Sequence, residues 1–353
     1  MSVDSKAAPN SMMSDAFASL RKLAPGLGFA AVISIIAYIA APLVAKVAPI
    51  PAIIIALIIG VALNPVAVRP IYQPGITFAV KKILRWAVAL LGLKIALGDI
   101  YGIGLGAALI VIVAMAATVL AGLAMARLLG QAEEYGALAG VGTAVCGASA
   151  TLATATALPD YRGKEADVVF VVVAVNALST VAMIAYPAIC RWLGFSDHLT
   201  GVMLGATIHD VAQVVGAGYA VSDTAGNSAV IVKLYRVFLL LPVVMIVGWY
   251  FVRRGAAAGH AKVPVPVFAI MFLVLCVINS VVPLAPPLMP IYAPIKSFLG
   301  EASTWGLLLA IAALGLGTSF GAVRALGLRH IATVTVTTIV ILVVATGGLM
   351  LLR

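Results

Sequence analysis

Runs of about twenty apolar residues recur from one end of this chain to the other, each long enough to cross a hydrocarbon core of about 30 Å. The stretch "LGAALIVIVAMAATVLAGLAMA", residues 105–126, is one of them. Such runs are continuous and not alternating, so they predict helices, which satisfy their own backbone groups in lipid. A soluble domain has no interior large enough to take so many. Of the 353 residues, 63% are hydrophobic and 10% charged, and the mean hydropathy is +1.18. Soluble domains average about 25% charged residues. The fold class is therefore an all-α polytopic membrane protein.

Eleven crossings are predicted, at 26–47, 51–67, 75–97, 104–128, 134–157, 166–191, 199–220, 227–252, 263–284, 302–319 and 331–352. Residues 1–23 read as a cytoplasmic tail, and 24–50 as an extra, uncleaved N-terminal helix. The positive-inside tendency orients the chain. With the N-terminus inside, Arg21, Lys22, Arg69, Arg127, Arg191, Arg253, Arg254, Lys262, Arg324 and Arg329 face the cytoplasm. Lys46, Arg162, Lys164, Lys296 and Arg353 face the other side. This places the protein in a cell membrane, among lipid, with its N-terminus cytoplasmic. The net charge of +10 is spread over loops with no basic domain, which excludes a nucleic-acid partner.

Three motifs recur in order, five predicted helices apart. Gly60-x-x-x-Asn64 resembles Gly205-x-x-x-His209, Lys82-x-x-Arg85 resembles Lys233-x-x-Arg236, and Gly140-Val-Gly-Thr143 resembles Gly315-Leu-Gly-Thr318. An odd spacing inverts the second copy, so the chain reads as two inverted five-helix repeats, 51–192 and 199–353, in a single transporter domain.

The segments "GVGTAVCGASA" and "GLGTSFGA" are rich in glycine and hydroxyls where leucine is expected. Broken helices persist in a membrane only where protein or a wet cavity satisfies the freed backbone. The two segments are therefore expected to form discontinuous helices whose breaks face each other and whose ends bind a solute. Close packing through small residues is the plainer alternative. The expected substrate ligands are Thr143, Cys146, Ser149, Thr151, Thr318 and Ser319, with Asn64 and the cations Lys82, Arg85, Lys233 and Arg236. Snorkelling toward the interface would also account for the cations. In "GATIHDVAQVVGAG", His209, Asp210 and Gln213 are candidates to couple transport to protons, or else form a structural network. His198, His260 and His330 fall in loops, and Pro242 should kink its helix just beyond Arg236. Cys146, Cys190 and Cys276 show neither a CxxC pattern nor a His/Cys cluster, so no metal and no cofactor are expected. Cys146 beside Ser149 lacks a base in its sequence context, which argues against an enzyme.

The strings "LLGLKIALGDI", "GTAVCGASA", "IHDVAQVVGAG", "IVKLYRVFLLLPVV" and "AALGLGTSF" resemble the bacterial sulfate exporter family over residues 30–350. That family is similar in fold to the cation/proton antiporter and bile-acid symporter superfamily. The resemblance implies a panel and a core domain, a pair of crossed broken helices, and often a homodimer. The carboxylates that sodium/proton antiporters need are missing from 137–157 and 305–320, which favours an anion. The expected function is secondary transport of a small inorganic anion, sulfate or a related sulfur oxyanion. The alternative is a proton-coupled carrier of a small organic anion such as a sulfonate or carboxylate.

Overall fold

The computed structural model describes residues 9–44, 52–254, 267–317 and 328–352. They are helical, with no strand among the described residues. In chain order come α1 (Pro9–Val44), α2 (Ala52–Ala62), α3 (Asn64–Ala67), α4 (Gln73–Phe78), α5 (Leu84–Leu91) and α6 (Leu97–Gly102). Next are α7 (Gly104–Leu128), α8 (Glu133–Ala144), α9 (Ala148–Ala157), α10 (Lys164–Trp192), α11 (Asp197–Thr207) and α12 (Val211–Val221). The last are α13 (Asp223–Phe238), α14 (Leu240–Arg253), α15 (Val267–Val281), α16 (Met289–Gly317) and α17 (Leu328–Leu351). Seven helices among the described residues are long and apolar enough to cross a membrane. The first helix already begins at Pro9, inside the stretch that composition reads as a tail. The expected kink is found at Leu239, where α13 gives way to α14, because the Pro242 ring displaces the carbonyl four residues before it.

The chain divides into two compact units, Met1–Ala87 with Thr304–Thr318, and Val88–Ser303 with Ser319–Arg353. In the first, Ala30, Ile33, Ala56, Ile76, Ala312 and Leu316 share one apolar core. Gly60 and Gly315 let two backbones touch there, since a Cβ on either would fall 2.6 Å from a carbonyl oxygen of the other segment.

The second unit contains a topology that hydropathy does not reveal. α8 follows α17 in the same direction: Tyr135 Oη donates to His330 O at 2.7 Å, and Thr143 Oγ1 lies 2.9 Å from Thr337 Oγ1. Beyond Ala144 the helix stops and α9 turns back. At the far end of α9, Ala157 packs against Gly248 of α14. Arg254, six residues beyond Gly248, meets Glu133 at the start of α8 at 2.9 Å. After α9, Asp167 lies 3.4 Å from His330, and Phe170 stacks near both His330 and Tyr135. Segment 133–157 thus enters and leaves at one end of the unit.

α11 and α12 do the same from the opposite end. His198 Nδ1 lies 3.0 Å from Ser228 Oγ near the start of α13, while Tyr219 Oη, at the return end, donates to Asn227 at 2.6 Å. Ser222 closes the return by accepting from Ala225 N, capping α13. α13 and α14 then cross to the Arg254 end as a 31-residue span. Two segments expected as crossings, 134–157 and 199–220, are instead re-entrant hairpins. A pair of eleven-residue half-helices has the length and apolarity of one span, so composition cannot separate the two.

The two breaks differ in chemistry. Between α8 and α9, Gly147 adopts φ 65°, ψ −126°, a region that only glycine enters without strain. Between α11 and α12, Ile208 and Asp210 are simply extended, at ψ 139° and ψ 149°. This second break lies in a segment that the sequence reads as a plain crossing, 199–220. α16 continues unbroken to Gly317, and Thr318 and Ser319 lie outside the described residues.

Candidate functional site

The two hairpin turns meet. A Cβ built on Gly147 would stand 3.7 Å from His209 O and from the Asp210 carboxylate. Close approach by glycine brings the arms into place: a Cβ on Gly205 would run into α13 at Ala229, and one on Gly136 into α7 at Gly122. The small-residue packing and the broken helix, set against each other in the sequence, are both present in one segment.

Lys233 and Arg236 stand one turn apart on α13 and are fully buried, each with 0% exposure. Lys233 is ten residues from the start of α13, which at about 1.5 Å per residue is about 15 Å, half the depth of a hydrocarbon core. Its ammonium donates to Val145 O at 2.6 Å, to Ile208 O at 3.0 Å and to His209 O. The Arg236 guanidinium donates to Thr143 O and Ala144 O, each at 2.9 Å, and to Gly205 O and Ile208 O, again at 2.9 Å. Apart from His209 O, which belongs to the turn itself, these oxygens are the orphan carbonyls at the C-terminal ends of α8 and α11. Two cations therefore face two negative dipole ends at mid-membrane, where they satisfy carbonyls that lipid could not. An ammonium has three hydrogens, and three carbonyls take them. The expected role of this pair as anion ligands is not what its donors are doing.

The positive ends of α9 and α12 also point to the meeting place. Asp210 caps α12, accepting from Ala212 N at 2.9 Å, whereas no side chain caps α9. Cys146 Sγ and Ser149 Oγ lie 2.9 Å apart at the start of α9. Thr151 turns inward, donating to Gly147 O at 3.1 Å. His209 is buried with Nε2 3.0 Å from Thr338 Oγ1. Gln213 donates to Asn176 Oδ1 at 3.1 Å, and Asp210 N donates to Ser179 Oγ at 3.1 Å, which ties α12 to the middle of α10. Asn176 is exposed halfway along an apolar span, and Ser149 and Asp210 are half-buried. Together they form a polar face at mid-depth.

The structure thus brings together Thr143, Cys146, Ser149, Thr151, His209, Asp210, Gln213, Lys233 and Arg236. Lys82 and Arg85 belong to the other unit and are exposed. Asn64, in that unit too, donates to Leu316 O at 2.7 Å near the end of α16. Sequence reasoning missed Asn176, Ser179, Thr337 and Thr338, whose signal was a polar side chain inside an otherwise apolar span. No group of three or more His, Cys, Asp or Glu that could hold a metal occurs among the described residues.

Outside the spans, Glu133 sits at the mouth of the first hairpin between Arg127 at 2.8 Å and Arg254 at 2.9 Å. The hydrogen bond from Arg127 is the main cause that lowers its carboxyl from the usual 4.5 to about 2.

A family profile described as Conserved hypothetical protein 698 matches residues 25–334. The chain belongs to this family. Within it, UPF0324 membrane protein TauZ of Paracoccus pantotrophus is 42% identical over 306 residues, covering 86% of this chain and 88% of its own. TauZ of Paracoccus denitrificans is 41% identical over 303 residues, 85% of this chain and 88% of its own. A UPF0324 membrane protein of Chlorobaculum tepidum is 39% identical over 305 residues, 84% of this chain and 82% of its own. No solved structure matches. With its relatives named membrane proteins and seven apolar helices of its own, this is a multi-pass bacterial membrane protein.

Proposed function

We propose that the protein is a secondary transporter of a small anion of the sulfate or sulfonate type. One observation carries the reading: two hairpins enter from opposite ends and join their turns at mid-depth, beside a polar face that includes Ser149, Asn176 and Asp210. Half-helix ends at the bilayer centre are how many secondary carriers bind solute. The start of α9, with no side-chain cap, offers backbone amides to an oxyanion, with Ser149 Oγ beside them.

A zwitterionic sulfonate is favoured over bare sulfate by Asp210, whose carboxylate lies at the same turn and suits a solute with a cationic group. Two of the relatives carry TauZ, a taurine-related name. The Arg127–Arg254 end is assigned to the cytoplasm, because the hairpin topology adds Arg162 and Lys164 to it and moves Arg191 away.

The test is flux in proteoliposomes, with labelled taurine and labelled sulfate offered separately. Saturable uptake that Asp210→Asn and Ser149→Ala each reduce at least tenfold, and that Cys146→Ala leaves intact, supports the reading. Flux no greater than in protein-free vesicles for both solutes would remove it.

A further inference from the structure

Carbonyl oxygens at the C-terminal ends of interrupted helices are the groups with which membrane carriers hold a coupling sodium ion, and rings of carbonyls strip a potassium ion of its water. Here three such oxygens, Val145 O from one hairpin and Ile208 O and His209 O from the other, converge on one point. That point is closed to solvent, about 15 Å along α13 from its start, and shared by both turns. It holds the ammonium of Lys233, which is 0% exposed.

We propose that this point is a monovalent-cation site in which the chain supplies its own tethered cation, so that no sodium or potassium ion is needed to join the hairpins. The chemistry fits a lysine better than an arginine. An ammonium is a compact charge comparable to a hydrated ion's core, whereas a guanidinium is a planar fork. Arg236 uses that fork one turn away, reaching Thr143 O and Ala144 O on one hairpin and Gly205 O and Ile208 O on the other. Arg236 clamps the ends of the half-helices, and Lys233 fills the gap where the two turns touch.

The proposal rests on the hairpin geometry and not on the transport reading, so its test measures stability. Wild type, Lys233→Ala and Lys233→Met are melted in detergent at constant ionic strength in choline, sodium, potassium or methylammonium chloride. Wild type is expected to melt at one temperature in all four. Lys233→Ala vacates the cage, and its melting temperature should fall in choline and rise by several degrees, saturably, with a small cation. Lys233→Met refills the volume without charge and should melt alike in all four salts. A wild type that is stabilised by sodium or potassium overturns the proposal. So does a Lys233→Ala protein that melts alike in every salt, or one that cannot be recovered folded even in potassium or methylammonium.

Discussion

The Nζ of Lys233 lies 2.6 Å from the carbonyl oxygen of Val145, a bond that spans 88 residues and joins the middle of a continuous span to the turn of a re-entrant hairpin. Val145 itself leaves the helical region, at φ −112° and ψ −85°, two residues before the positive φ of Gly147, and the cation sits on the carbonyl that the turn leaves bare. Position and chemistry explain each other here: the turn could not lie in lipid without a donor, and the lysine could not lie there without acceptors.

Removing the guanidinium at Arg236 should be among the most damaging single changes. Arg236→Leu strips four bonds from two helix ends, and loss of one partner of a buried charged contact costs about 3–5 kcal/mol. Arg236→Lys keeps the charge but not the fork, so it should recover only part of the loss. Thermal unfolding in detergent, with yield of monodisperse protein as a second measure, checks both.

Gly147→Ala should destabilise through the backbone alone. A Cβ there has room, with its nearest neighbours at 3.7 Å, but φ 65° with ψ −126° is closed to alanine. Strain of this type costs about 1–3 kcal/mol. Gly98→Ala, in α6 with open space around it, is the control and should be neutral or mildly stabilising.

Labelling from one side distinguishes hairpins from crossings. Asp160→Cys and Arg253→Cys should react with a membrane-impermeant maleimide from the same face, and Asp197→Cys and Asp223→Cys from the other. Eleven plain crossings would instead separate the members of each pair. The native Cys146, Cys190 and Cys276 are buried and should give little background.

The Glu133 cluster should show itself at acid pH. Its folded-state pKa is depressed from 4.5 to about 2, so its stabilisation is complete above the unfolded value and is lost as pH falls through that window. Glu133→Gln should flatten the stability profile between those limits, lower stability at neutral pH where the charged contact is complete, and match wild type once pH falls to about 2. Arg127 and Arg254 are 47% and 54% exposed, so added salt should weaken the effect in wild type.

Much of the site could be read from residue types. Cysteine, serine and glycine at 146–149 marked a break, and charges at 233 and 236 inside an apolar run marked a buried task. What stayed hidden has physical causes. The second break places Ile208 and Asp210 in ordinary extended backbone on either side of His209, with no glycine or proline among the three to announce it. The match between 140–143 and 315–318 pointed to the end of α16, which runs to Gly317 and beyond which 318–327 lie outside the described residues. A buried cation looks the same in sequence whether it faces a ligand or a carbonyl. For Lys233 and Arg236 it is the carbonyl, and the anion reading of those two residues does not survive their hydrogen bonds.

The order of the chain adds a consequence for biogenesis. Both hairpin turns, at 145–147 and 208–210, leave the ribosome before Lys233 and Arg236 do. Until that later span has been inserted, each nascent loop has helix-end carbonyls with no donor and no reason to remain deep in lipid. Insertion machinery must therefore hold them near the surface, and a polypeptide halted between Val221 and Lys233 should be a preferred target of membrane proteases.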